Sequence, residues 1–180
     1  AIERLGYLLE LGITTIEVMP VAECPGRFNW GYDGVQLFAP YHVYGDYDAF
    51  KRFIDAAHAH GLAVILDVVY NHLGPDGNYA PCFSSHFFSK SHKTEWGEAL
   101  NFDDEHSNGV RDFVLQNVRH WIGEFHLDGL RLDATQSIFD SSARHILVDL
   151  VEAARAAAAP KDIVITAENE PQCSEHLLPP

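Results

Sequence analysis

Leu62–Val69 reads LAVILDVV, a run that is apolar at odd and even positions alike and is broken only by Asp67. A short run of this kind buries both of its faces, as strands do in a parallel sheet covered by helices. The segments on either side alternate. Upstream, Tyr47–His60 sets Phe50, Phe53, Ile54 and Ala57 on one helical face, and Gly61 ends it. Before that, Thr14–Pro20 (TTIEVMP) reads as a strand, preceded by a helix over Ala1–Leu11 with Ile2, Leu5, Leu8 and Leu9 on one side. Downstream come a helix over Val110–Phe125, the strand HLDGLRLDA at His126–Ala134, a helix over Ala143–Ala159 and the strand DIVITAEN at Asp162–Asn169. Helix and strand in strict alternation specify an α/β fold with a parallel sheet, doubly wound or barrel-shaped. Two stretches stand outside the alternation. Cys24–Tyr44 reads as an aromatic, Gly- and Pro-rich loop, and Asn71–Ser107 shows no period and is too long for an ordinary connection.

Composition narrows the function classes. With 12 Lys and Arg against 26 Asp and Glu, the chain carries −14, which disfavours nucleic acid and anionic membrane as partners. No apolar run approaches the ~20 residues of a membrane span. Cys24, Cys82 and Cys173 are far apart, so neither a disulfide framework nor a zinc site is expected, and the chain reads as a reduced, cytoplasmic protein. Ala1 is not a natural start, which leaves a lost leader open. No GxGxxG or GxxxxGK[ST] follows a strand, so a nucleotide site lacks support.

The charges that interrupt the apolar strands carry the most information. Asp67, Asp133 and Glu168 fall at or near the ends of three successive strands. A carboxylate in an apolar strand costs several kcal/mol unless it is paired or hydrogen-bonded, and α/β folds build their sites at the C-terminal ends of strands. Asp133 and Glu168 lie 35 positions apart, close to the ~31 residues per unit of an eight-unit barrel. The longer interval from Asp67 to Asp133 is one unit plus an insert.

Arg131 and Asp133, two apart on a strand, share a face. An Arg beside an Asp keeps it ionised and orients it through a planar fork, which suits a carboxylate nucleophile; an ordinary structural ion pair explains the same pattern. Glu168, crowded by like charges, suits a general acid. Two such carboxylates about 5–5.5 Å apart are what retaining glycoside hydrolysis requires. His72, just past a strand end, reads as structural or as a site residue. Trp30 and Tyr32 offer aromatic faces to a sugar ring, or else pack the loop against the rim.

These residues also sit in recognisable motifs. DVVYNH at Asp67–His72, GLRLDA at Gly129–Ala134 and Glu168 within ITAEN resemble three signature regions of the α-amylase superfamily, glycoside hydrolase family 13. WGYDG at Trp30–Gly34, NHLGPDGNY, WGEALNFD and LRLDATQ are similar to the sub-group that holds malto-oligosyltrehalose trehalohydrolases and glycogen branching enzymes, and more to the former. The resemblance implies part of a (β/α)8 TIM barrel, about strands 2 to 5, over residues 1–180. A short loop-rich subdomain over 73–108 is inserted after the third strand. It implies Asp133 as nucleophile and Glu168 as general acid and base, with Arg131 positioning Asp133. Asp67 and His72 line the subsite of the attacked sugar, and Tyr32 stacks on it. Asn71 is a calcium ligand in many amylases, but the sub-group usually does without the ion, so no metal or cofactor is expected.

The implied reaction is retaining hydrolysis of α-1,4-glucosidic bonds, releasing trehalose from malto-oligosyl trehalose. The alternatives are a branching transferase and a non-catalytic α-glucan-binding relative. A fourth signature, a His-Asp pair, is not in the sequence. The chain therefore reads as a fragment of a longer enzyme, expected to be inactive and poorly soluble alone.

Overall fold

The structure, a computed structural model, describes residues 1–172. Cys173 lies outside the described residues. A single 3-10 turn at Ile2–Arg4 leads into α1 (Leu5–Glu10), followed by β1 (Thr15–Val18). A short antiparallel pair, β2 (Ala22–Glu23) and β3 (Gln36–Pro40), comes next. Then follow α2 (Tyr47–Ala59), β4 (Ala63–Val68), a one-turn α3 (Ala80–Phe83), and the hairpin of β5 (Phe88–Thr94) and β6 (Gly97–Leu100). The chain closes with α4 (Asn108–Arg119), β7 (Gly129–Leu132), α5 (Ile146–Ala158) and β8 (Val164–Ala167).

The four expected strands form one parallel sheet in the order β1-β4-β7-β8. Its register decides where the chemistry falls. Asp67 of β4 pairs with Arg131 of β7, and Arg131 pairs with Thr166 of β8. Because side chains alternate along a strand, Asp67, Arg131 and Thr166 form one row across a face. Asp133 and Glu168 lie two residues further along the same face. The opposite face carries Val64, Leu66, Val68, Leu130 and Leu132, which pack with Ile54, Val114, Val118, Trp121, Ile146 and Leu150 of the helical layer into one continuous core.

Local chemistry explains the helix ends. The Asp46 carboxylate accepts from Ala49 N–H at 2.7 Å and caps α2, satisfying a donor that the helix itself leaves unpaired. Arg111 of α4 donates to Asp140 at 2.5 Å and Asp149 at 2.8 Å, and Asp140 also accepts from Ile146 N–H at the start of α5. Charge-assisted hydrogen bonds thus bind the two helices at their ends.

Several expectations are corrected. The aromatic loop over 24–44 contains β3 and pairs with β2, with a register shift between Ala22 and Glu23; bulged two-residue strands have too little alternation to read. Within 73–108, two pieces of regular structure appear, α3 and the β5–β6 hairpin. The hairpin's polar turn and exposed faces hide its period. The helix expected over 110–125 is present as α4 and differs only at its end, which is a π-helical turn over His120–Glu124; Trp121 and Phe125 there lie 4.7 Å apart between ring centroids. Of the apolar stripe of the first helix, Leu5 is buried and Leu8 packs half-buried against the core, while Ile2 and Leu9 are exposed.

Candidate active site

At the end of the sheet where Asp67, Asp133 and Glu168 emerge, a cleft of about 400 Å³ is lined by Tyr32, His72, Trp96, Arg131, Asp133 and Glu168, among others. A larger, mostly apolar cleft of about 580 Å³, lined by Met19, Phe50 and Phe53 among others, shares no lining residue with it.

Arg131 is the hub. Its Nη1 donates to Asp67 Oδ2 at 2.5 Å and to Asp133 Oδ1 at 3.2 Å, and its Nη2 lies 2.9 Å from Glu168 Oε2. One guanidinium thus spans three carboxylates, so Asp133 and Glu168 are neighbours on one face. The sequence reading paired Arg131 with Asp133; the shorter contact is to Asp67, directly across the ladder. Asp133 is oriented mainly by Asn71, whose Nδ2 donates to its Oδ2 at 3.0 Å and its carbonyl at 3.1 Å. Asn71 Oδ1 is taken by His72 Nδ1. Both ends of the Asn71 amide are thus engaged within the site.

Burial sets the electrostatics. Asp67 is 2% exposed, and its Oδ1 has no hydrogen-bond partner among the described residues. Desolvation pushes its carboxyl up to about 6, against the opposing pull of Tyr32 and Arg131. Burial, with help from the charge of Glu168, also raises the Asp133 carboxyl, against the opposing pull of Asn71 and Arg131. Burial lowers the His72 imidazolium, which favours the neutral ring. The Tyr32 hydroxyl donates to Asp67 Oδ2 at 2.9 Å, and burial together with that hydrogen bond raises it to about 12. Glu168 is more open, its side chain 45% exposed, and its Oε2 accepts from Ala134 N–H at 3.0 Å.

Two glycines bring the loops together. A Cβ on Gly31, at φ 97°, would lie 2.1 Å from the Pro20 carbonyl oxygen, and one on Gly74 would lie 2.1 Å from that of Asp33. Only glycine permits these approaches, which set Tyr32 beside Asp67 and bring the loop after His72 against that of Asp33. All six residues expected from the sequence, Tyr32, Asp67, His72, Arg131, Asp133 and Glu168, therefore converge on one site. Sequence reasoning missed Trp96, whose ring lies 5.7 Å from that of His72; it sits on the turn between β5 and β6, and no period marked that hairpin.

A model of the α-amylase catalytic domain matches residues 1–98. The chain belongs to the α-amylase family. Among curated members, malto-oligosyltrehalose trehalohydrolase of Saccharolobus solfataricus is 53% identical over 84% of this chain and 27% of its own length. A 1,4-alpha-glucan branching enzyme of Rhodospirillum rubrum is 37% identical over 76% of this chain and 19% of its own. The crystal structure of a putative alpha amylase from Salmonella typhimurium superposes with a TM-score of 0.89 at 49% identity, covering 93% of this chain and 28% of that one. The chain thus spans about a quarter of the length of the trehalohydrolases it matches, and its parallel sheet matches part of the α-amylase (β/α)8 barrel.

Proposed function

We infer that the protein carrying this chain is a retaining α-glucan hydrolase that releases trehalose from malto-oligosyl trehalose. The observation that carries this reading is the single guanidinium of Arg131 spanning Asp67, Asp133 and Glu168. It holds two reacting carboxylates on one face, as double displacement at one anomeric carbon needs. The trehalohydrolase name of relatives at 44–53% identity supports the substrate.

In the first step an Asp133 carboxylate oxygen attacks the anomeric carbon. The glycosidic C–O bond breaks, and Glu168 gives its proton to the departing oxygen. In the second step Glu168 takes a proton from water, whose oxygen displaces Asp133 and frees the sugar. Asn71 and Arg131 orient the nucleophile, Asp67 and His72 bind the attacked ring, and Tyr32 stacks on it. Each of these steps uses the chain's own residues, and none calls on a metal or cofactor.

A branching transferase shares the covalent intermediate and differs only in passing the glycosyl group to a sugar hydroxyl. The relative of that name supports it as the second reading. A decayed, glucan-binding relative is disfavoured because both carboxylates and Arg131 stand in register. The partner is a neutral glucan, and the charge of −14 argues against nucleic acid. No helix among the described residues is long and apolar enough to cross a membrane, and the free thiols of Cys24 and Cys82 favour the cytoplasm. Product analysis of the whole protein decides the reaction. Free trehalose is expected, whereas new α-1,6 branch points in its place would transfer the assignment to the branching class.

A further inference from the structure

The turn after Asp133 grips the general acid at both ends. Ala134 adopts φ 40°, ψ 56°, a left-handed conformation that a residue with a Cβ disfavours. That conformation aims its N–H at Glu168 Oε2, 3.0 Å away. The next residue, Thr135, is 1% exposed and holds the main chain of Glu168 instead. Its N–H donates to the Glu168 carbonyl at 2.8 Å and its hydroxyl donates to the same oxygen at 2.7 Å. Asn169 Nδ2 donates to that hydroxyl at 3.2 Å, which leaves the hydroxyl's one proton for Glu168. Thr135 itself does not line the cleft.

We propose that Thr135 is a positioning residue that sets Glu168 at the distance from Asp133 which proton donation to the leaving oxygen requires. The hydroxyl joins the end of β8 to the turn after β7, so a change in it moves one carboxylate relative to the other. This rests on the hydrolase reading above. A shift of about 1 Å between catalytic groups costs on the order of 10²-fold in rate, so losing this link is expected to act through the acid step.

A leaving group that needs no proton separates that effect from general damage. Cleaving a glucan breaks a C–O bond whose oxygen must gain the Glu168 proton, whereas a glycosyl fluoride releases fluoride as an anion. Thr135→Val and Thr135→Ala are made in the whole protein, with Thr135→Ser as the variant that keeps the hydroxyl. The readout is kcat/KM, which reports steps up to the covalent intermediate, on malto-oligosyl trehalose and on α-maltotriosyl fluoride.

For Val and Ala, kcat/KM on malto-oligosyl trehalose is expected to fall on the order of 10²-fold, while the fluoride value stays near wild type; Ser retains both. Equal losses on the two substrates, no loss on either, or failure of both hydroxyl-free variants to fold would each overturn the role of Thr135 and leave the hydrolase reading standing. A wild-type protein inert to the fluoride would contradict the hydrolase reading and this inference with it.

Discussion

Asp67 and Arg131 face each other in register across β4 and β7, with Arg131 Nη1 2.5 Å from Asp67 Oδ2. From that pair the guanidinium reaches up one layer to Asp133 and Glu168. Asp67 is therefore the anchor of the arginine and Asn71 the anchor of the nucleophile, a division of labour with separable consequences.

Asp67 sets a pH dependence. Its carboxyl, ordinarily at 3.8, is raised by burial to about 6 in the folded protein. Between those values the folded state binds more protons than the unfolded one, so stability falls as pH rises through the window and levels off above it. Asn does not titrate. Urea denaturation of the whole protein is expected to show Asp67→Asn gaining on wild type by up to roughly 3 kcal/mol from about pH 4 to pH 7. A difference that does not change with pH would contradict the assignment.

Asn71 donates to both the carbonyl and the carboxylate of Asp133. In Asn71→Ala the nucleophile keeps only the longer contact to Arg131. The expected result is a fall in kcat on the order of 10²-fold with little change in KM. A rise in KM at constant kcat would make Asn71 a substrate ligand instead.

Tyr32 joins an aromatic face to a hydroxyl held by Asp67. Tyr32→Phe keeps the face and is expected to retain KM within a few-fold, whereas Tyr32→Ala loses stacking worth about 1 kcal/mol and raises KM more. Equal KM values for the two variants would remove the stacking role.

Asp140 has no exposed side-chain surface and accepts from both Arg111 and the N–H of Ile146. Asp140→Ala leaves Arg111 with Asp149 as its remaining carboxylate and strips the Ile146 N–H of its acceptor, a change that costs about 1–3 kcal/mol. A lower melting temperature with intact catalytic constants in the surviving protein is expected. An unchanged melting temperature would show the network to be energetically idle.

The sheet was legible because β4 and its neighbours announce burial through unbroken apolar runs, and because Asp67, Asp133 and Glu168 stand out against them. The carboxylates of the site were legible for the same reason, Arg131 because it stands two positions before Asp133 on one strand, and Tyr32 and His72 through the motifs that hold them. The partner of that arginine was not, since cross-strand register is set by pairing that no single strand encodes. Trp96 was hidden by a hairpin too short and polar to show alternation. The hold of Ala134 and Thr135 on Glu168 depends on a left-handed backbone at an alanine, which composition does not foretell.

The central claim is that Asp133 forms a covalent bond to the sugar. The whole protein, incubated with a 5-fluoro-α-glucosyl fluoride that forms the intermediate and turns it over slowly, is digested and its peptides are weighed. The added sugar mass is expected on the peptide containing Asp133, and to be absent in Asp133→Asn. A label on Glu168 or Asp67, or hydrolysis of the natural substrate undiminished in Asp133→Asn, would contradict the account.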